Sequence, residues 1–199
     1  MRPGRIEYRK DILLLLLYSP GVADEVNEPI VGRTRLVKML YLFRKEALSH
    51  FRKGTDVNED NFYDFFAWDF GPFSREVYDD ITFFILQGFI ETSLSDEEAL
   101  PESEAEWEEW LTSSGARDEG EEIDEYREES FRLTRAGTDF TRGMYETLSP
   151  TQQELLRQFK KRTGALPLRA LLRYIYAKYP DDTTQSRIRD KILGSSWYH

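Results

Sequence analysis

The stretch from Gly32 to Thr138 shows one order of segments, and this order restricts the fold more than any other feature of the chain. A basic amphipathic segment comes first, followed by an aromatic run with a Gly-Pro turn, a second helical segment and an extended segment. A long acidic stretch then leads to another extended segment and another helix. This is the order of a winged helix-turn-helix, which binds nucleic acid or protein. The sequence therefore predicts a mostly α (α+β) fold with a winged helix-turn-helix-like centre, a small β-hairpin and C-terminal helices packed on it.

Apolar spacing and terminal signals predict where the individual elements begin and end. Ser74, Thr134 and Ser149 precede helical segments as N-caps, and Pro150 with Gln152 completes a capping box at the last of these. The predicted helices cover residues 6–18, 33–49, 74–87, 135–147, 150–164, 168–179 and 185–193. The predicted extended segments are 65–69, 89–92 and 130–133, with Gly71-Pro72 as a turn and Gly88 as a left-handed helix stop.

The loop of the predicted wing is replaced by a large acidic insertion. A loop between two such strands ordinarily has only a few residues. Trp107, Trp110 and Leu111 lie at i, i+3 and i+4 among the carboxylates, which predicts one short amphipathic helix. This helix either binds a basic, grooved protein partner or packs on the protein itself, on the core or over the basic ends. The predicted organisation is a winged-helix-like domain over residues 1–148, with the insertion at about 95–129, and a C-terminal helical extension over residues 149–199 on the same core.

Charge and composition exclude several classes of protein. Residues 1–56 hold 11 Lys/Arg against 7 Asp/Glu, residues 57–148 hold 6 against 26, and residues 149–199 hold 10 against 4, so two basic ends flank an acidic middle. The chain has no cysteine, and therefore no disulfide framework, thiolate nucleophile or zinc–sulfur site. Its longest apolar run is far shorter than the ~20 residues of a membrane span. We expect a cytoplasmic protein without a membrane partner.

Catalytic chemistry finds little support in the sequence. His50 and His199 are the two histidines, and neither has a serine or carboxylate at a spacing that would activate a nucleophile. There is no glycine-rich phosphate cradle. The carboxylates from Asp118 to Glu129 form a charge run without the alternating ligand positions of a calcium loop. The sequence predicts no enzyme, no catalytic residue, no metal and no cofactor.

Nucleic-acid binding by the usual wing-and-helix docking is also disfavoured. The helix from Ser74 to Gln87 would enter the major groove, yet it shows Arg75 among three carboxylates. Phosphates would repel this surface, and phosphate neutralisation supplies most of the affinity. A different basic face remains open, and its alternative is a set of ordinary solvated helix faces. Its candidate residues are Arg35, Lys38, Lys45, Arg157, Lys160, Lys161, Arg169, Arg173, Arg187 and Lys191.

Several segments resemble two related prokaryotic groups, the Panacea (SocA-like) antitoxin-associated domain and the YwgA-like proteins. The segments are Arg35–Leu42, Phe66–Phe73, Val77–Asp80 and Phe131–Gly137, with Leu171–Pro180 closer to the YwgA-like side. Their signature positions are Trp68, Gly71, Pro72, Ser74 and Tyr78. We expect the aromatic side chains of the second segment, Phe66, Trp68, Phe70 and Phe73, to serve core and turn packing.

The resemblance implies a helical domain with a winged-helix-like centre and no catalytic residues. In the Panacea group such a domain usually neutralises a toxin by direct contact, and one member hands its toxin to a protease. The favoured interpretation is a non-catalytic protein-interaction module, antitoxin-like or adaptor-like, whose partner is a toxin-like protein or a protease-system component in a prokaryotic toxin or defence system. The alternative is a winged-helix DNA-binding transcriptional regulator, as a possible homodimer, that uses its basic N- and C-terminal helices.

Overall fold

The computed structural model describes residues 6–53, 55–94, 129–186 and 188–194, which form a mostly helical α+β fold with a small antiparallel sheet. The helices are α1 (Arg9–Tyr18), α2 (Arg33–Leu42), α3 (Leu48–Phe51), α4 (Arg75–Leu86), α5 (Arg135–Tyr145), α6 (Pro150–Gly164), α7 (Leu168–Lys178) and α8 (Arg189–Gly194). The strands are β1 (Ile30–Val31), β2 (Phe66–Trp68), β3 (Gly71–Phe73), β4 (Ile90–Leu94) and β5 (Glu129–Leu133). A π-helical turn, Phe43–Ala47, joins α2 to α3, and a 3-10 turn, Pro180–Thr183, follows α7.

Helix α1 lies at the centre of the fold because it is apolar on all sides. Every residue from Ile12 to Tyr18 is buried, and the helix packs against α5, α6 and β5. Apolar side chains of the C-terminal helices, such as Leu156 and Leu172, belong to the same buried cluster. The core therefore joins elements from both ends of the chain.

The antiparallel sheet has the strand order β1-β5-β4. Strands β4 and β5 pair from Ile90 opposite Leu133 to Leu94 opposite Glu129, so the two predicted wing strands do pair. Strand β1 was not predicted, because two residues carry no alternating pattern of their own. Ile30 becomes a strand residue through its pairing with Phe131.

Local signals placed most helix ends correctly. The Thr134 hydroxyl accepts a hydrogen bond from the Gly137 amide, and the Ser149 capping box with Gln152 is formed. Gly88 ends α4 with φ at 69°. Ser74 holds the N-cap position with extended backbone, but its hydroxyl is buried, caps no amide and has no hydrogen-bond partner among the described residues. The cap prediction is therefore right for the backbone of Ser74 and wrong for its side chain.

The predicted turn at Gly71-Pro72 lies two residues earlier, at Asp69 and Phe70. Gly71 and Pro72 are strand residues, opposite Trp68 and Ala67. Pro72 is tolerated there because β3 is an edge strand of a two-stranded sheet, where one missing amide donor breaks no central ladder.

The predicted helix over residues 33–49 is interrupted by the π-helical turn Phe43–Ala47. A π-helical turn holds one residue more than an α-helical turn, so it rotates every side chain that follows. Three consecutive charged residues occupy this turn: Arg44, Lys45 and Glu46.

Candidate functional site

The hairpin of β2 and β3 presents aromatic rings to solvent, and we call residues 66–73 the aromatic hairpin. Phe66 is 48% exposed and Trp68 is 50% exposed. They share one face of β2 because alternate strand residues point the same way. The Phe66 ring centroid lies 5.8 Å from that of Trp68 and 5.5 Å from that of Phe73. The expected core and turn packing thus holds in part, because the rings of Phe66 and Trp68 contact each other on the hairpin but neither lies in the core.

A cavity of about 200 Å³ lies between the aromatic hairpin, α2 and α4. Aromatic rings and one lysine dominate its wall. The lining residues are Thr34, Val37, Lys38, Trp68, Phe70, Gly71, Phe73 and Tyr78. Three side chains of the aromatic hairpin, Trp68, Phe70 and Phe73, therefore line this cavity, and the arrangement can hold a small apolar group.

Lys38 supplies the charge of this cavity. Its side chain is buried, with the residue 2% exposed, and Nζ donates a hydrogen bond to the Pro72 carbonyl oxygen at 2.8 Å. Burial lowers the pKa of Lys38 to about 7, because an ammonium loses its hydration in the protein interior. The cavity thus places an amine that titrates near neutrality among aromatic rings.

Arg33 connects the cavity wall to the start of β5. Its guanidinium lies over the ring of Tyr78, at 5.2 Å from the centroid, and pairs with Glu129 Oε2 at 2.8 Å. Burial raises the pKa of the Tyr78 hydroxyl, and the Arg33 charge opposes this shift. One wall of the cavity therefore contacts the strand that begins where the acidic insertion ends.

The outer face of α4 carries both carboxylates and apolar side chains. Arg75 and Asp79 are exposed as predicted. Glu76 and Asp80 instead form ion pairs with Arg9, at 2.8 and 3.6 Å. Leu86 is 78% exposed and Phe83 is 43% exposed. On this face Arg75 lies on the same helix as Asp79 and the apolar Leu86, a mixture that offers a phosphate backbone little positive charge.

Those candidate basic residues whose side chains the structure describes do not form one exposed face. Arg35 donates to the carbonyl oxygens of Thr163 and Leu166, where it satisfies the end of α6. Lys45 pairs with Asp182 at 2.8 Å, and Arg157 pairs with Asp24 at 2.7 Å. These three basic side chains therefore form tertiary contacts, although their helical spacing alone predicts that they are free at the surface.

The prediction of an exposed basic side chain is wrong for Lys160 and Lys38, because both are buried. The Lys160 Nζ donates to the carbonyl oxygens of Leu17, Ser19 and Glu28 at 2.7–2.8 Å. Burial lowers its pKa to about 7, and the nearby Glu28 opposes the shift. All three ammonium donors are used, so Lys160 fastens α6 to the end of α1.

The structure describes three of the remaining predicted side chains, and all three are at least partly exposed. Lys161 and Arg173 are exposed, and Arg169 is partly exposed. Several lie outside the described residues: Trp107, Trp110, Leu111, Arg187 and the Lys191 side chain.

Sequence reasoning missed Glu46, the acceptor that fastens α7 to the π-helical turn. Glu46 Oε1 accepts hydrogen bonds from the Tyr174 hydroxyl at 2.7 Å, Lys178 Nζ at 2.9 Å and the Tyr179 hydroxyl at 3.0 Å. Oε2 accepts one from Arg162 at 2.7 Å. Burial alone raises the pKa of Glu46, but these bonds outweigh it and hold the pKa below its ordinary value. Nothing in the spacing of a single glutamate indicates four partners more than a hundred residues away.

Among the residues that the structure describes, no three metal-binding side chains cluster, and no helix has the length and apolar character to cross a membrane. No family model, curated protein or solved structure matches this chain.

Proposed function

We propose that this protein is a non-catalytic interaction module that binds a protein partner through the aromatic hairpin. The observation that carries the proposal is the half-exposed pair Phe66 and Trp68, held on a two-stranded hairpin beside a cavity. Exposed aromatic clusters mark protein interfaces, and tryptophan and tyrosine are enriched among the residues that dominate binding energy. Burying the exposed half of each ring would contribute about 2 kcal/mol at ~25 cal/mol per Å².

The geometry favours a protein over nucleic acid as the partner. The aromatic hairpin directly precedes α4 in the chain. The outer face of α4 combines Asp79 with the apolar Phe83 and Leu86. Lys38 and Lys160 point inward, which removes two charges from the alternative basic face. On this proposal, α2, α4 and the β4–β5 pair form a winged helix-turn-helix-like centre that serves as a protein-binding scaffold.

The resemblance to Panacea (SocA-like) domains supports an antitoxin-like or adaptor-like role in a prokaryotic toxin or defence system. Its residues coincide with the site, since the Phe66–Phe73 segment is the aromatic hairpin and the Arg35–Leu42 segment contributes Lys38 to the cavity. The candidate partners are therefore proteins encoded next to this chain, either toxin-like or part of a protease system.

The test is co-purification of the full chain with each candidate partner, in wild type and in the double variant F66S/W68S. We expect the double variant to bind at least about tenfold more weakly, since each tenfold corresponds to ~1.4 kcal/mol. Val26→Ser, at another exposed apolar position, is the matched control and should bind like wild type. Far-ultraviolet circular dichroism checks that the variants fold. Unchanged affinity of a folded F66S/W68S variant would overturn the proposal.

The acidic insertion is proposed as a second contact, through Trp107, Trp110 and Leu111 on a basic surface of the partner. Because Leu94 and Glu129 face each other in the sheet, residues 95–128 can be replaced by an Asn-Gly turn without breaking the strand pair. Weaker partner binding by this variant supports the contact, and unchanged binding removes it.

The alternative, a DNA-binding regulator, is tested by electrophoretic mobility shift with random duplex at low and high salt. We expect no salt-sensitive shift, because Arg35, Lys45 and Arg157 are engaged in contacts within the protein and Lys38 and Lys160 are buried. A salt-sensitive shift that Lys161→Ala and Arg173→Ala weaken would favour the regulator.

A further inference from the structure

The buried ammonium of Lys38 has hydrogen-bonding capacity that the described residues do not use. An ammonium has three N–H donors, and among the described residues Lys38 Nζ donates to one acceptor, Pro72 O. Lys160, the other buried lysine of this kind, donates to three carbonyl oxygens. Buried polar groups in proteins are normally satisfied. Lys38 differs from Lys160 in that it lines a cavity, where an acceptor from outside can approach its side chain.

The residues that line the cavity indicate what kind of ligand should carry that acceptor. The side chains around Lys38 are mostly rings and an aliphatic group: Trp68, Phe70, Phe73, Tyr78 and Val37. A charge-assisted bond between an ammonium and a carboxylate is stronger here than in water, because the apolar surroundings screen it less. The lining therefore matches a ligand with an apolar body and one carboxylate.

The volume limits the ligand to one small group. The cavity measures about 200 Å³. An apolar cavity of ~150 Å³ holds benzene, whereas pockets for drug-sized ligands begin at ~300 Å³. One ring or one branched aliphatic side chain fits, together with its carboxylate.

We propose that the cavity binds the C-terminal residue of a protein partner, with the terminal carboxylate on Lys38 Nζ and an apolar side chain among the rings. Only a chain end carries a carboxylate and an apolar side chain on the same carbon; an internal Asp or Glu has no apolar body beside its charge. The exposed part of Trp68 continues the cavity wall to the surface, where the rest of the partner contacts the aromatic hairpin. The identity of the occupant rests on the proposed function, whereas the carboxylate preference of the cavity does not.

The test uses the full chain and two probes that differ in one group, N-acetyl-L-phenylalanine and N-acetyl-L-phenylalanine amide. Binding is followed by NMR through the amide signals of Lys38 and Gly71. We expect the acid to bind at least about tenfold more tightly than the amide, the effect of one hydrogen bond to a charged group. In Lys38→Met the acid and the amide should bind equally, and in the control Lys161→Met the tenfold preference should remain.

Equal binding of acid and amide to wild type, or no shift of these signals at millimolar probe, overturns the inference. The wild-type comparison does not depend on how Lys38→Met folds. Failure of this inference is distinguishable from failure of the proposed function. If Lys38→Met, or amidation of the partner's C-terminus, leaves partner binding unchanged while F66S/W68S abolishes it, the interface stands and the cavity does not hold the chain end.

Discussion

The carbonyl oxygen of Phe89 fills the space that a side chain at Gly137 would need. A Cβ built on Gly137 would overlap this oxygen and lie 3.1 Å from Phe89 Cα. The same oxygen accepts a hydrogen bond from the Thr134 amide, so the start of β4 and the first turn of α5 are fixed against each other. The ring of Phe89 also stacks on Phe140, with 5.2 Å between centroids. This close approach fixes the position of the β4–β5 strand pair relative to α5.

Replacing Gly137 by alanine should destabilise the protein by about 3 kcal/mol, because the backbone of Phe89 must move to admit a methyl group. The matched control is Gly143→Ala in the same helix, where no atom of the described residues lies within 4 Å of a new Cβ. That change should stabilise by about 0.5–1 kcal/mol through helix propensity. Urea unfolding of both variants measures the difference, and equal stabilities would contradict the close approach.

Gly71 should not tolerate a side chain, for two separate reasons. Its φ is +81°, and a Cβ there would lie 2.6 Å from Tyr176 Cε1. Gly88 also has positive φ, at +69°, but in the part of the chain that the structure describes no atom lies within 4 Å of a Cβ built there. We expect Gly88→Ala to cost about 1 kcal/mol and Gly71→Ala about 3 kcal/mol, the excess coming from the ring. Thermal unfolding of the two variants checks this; a smaller loss for Gly71→Ala than for Gly88→Ala would show that the ring yields freely.

Lys38 should make stability depend on pH above neutrality. Its pKa is about 7 in the folded protein against 10.5 as the ordinary value, so between these values the unfolded chain binds more protons and stability rises with pH. A Lys38→Met variant lacks this gain. Its stability relative to wild type should therefore fall by about 3 kcal/mol between pH 7 and about 9.5.

Chemical denaturation at the two pH values measures this change, and the Lys160 contribution cancels because both proteins contain it. Lys161→Met applies the same substitution to an exposed lysine and should show no comparable dependence. A constant difference between wild type and Lys38→Met would mean that the amine is not desolvated.

Glu46→Gln should loosen α7 from the π-helical turn. The carboxylate accepts four hydrogen bonds, and we expect a loss of about 2 kcal/mol at pH 7 on its neutralisation. The pKa of Glu46 is lowered in the folded protein, so its stabilisation is present above the ordinary value of 4.5 and disappears as pH falls through the folded value. The stability difference should thus shrink in acid.

The control is Glu154→Gln, since Glu154 forms an exposed ion pair with Arg157 and should contribute well under ~1 kcal/mol. Similar losses of stability from Glu46→Gln and Glu154→Gln would contradict the proposed role of Glu46 in holding α7. Amide hydrogen exchange in α7 gives a local readout of the same change.

How far the sequence could predict the site is clearest at the aromatic hairpin. The sequence marks the residues of this hairpin, yet it favours core and turn packing for Phe66 and Trp68, because an aromatic run alone does not tell which face has a covering element. It places Lys38 on a surface for the same reason. Its helical spacing is that of an exposed cation, and only the position of Pro72 makes it a buried donor.

Elements whose ends are satisfied locally follow from the order of the residues. Thr134 and Ser149 cap helices through amides three residues away, and Gly88 stops α4 through its own backbone freedom. Contacts between distant residues arise only when the chain has folded. Lys160 meets the carbonyl of Leu17 across 143 positions, and β1 exists only where β5 lies beside it. Short-range hydrogen bonds depend on neighbours that the sequence fixes, whereas burial and pairing depend on which surfaces the whole chain brings together.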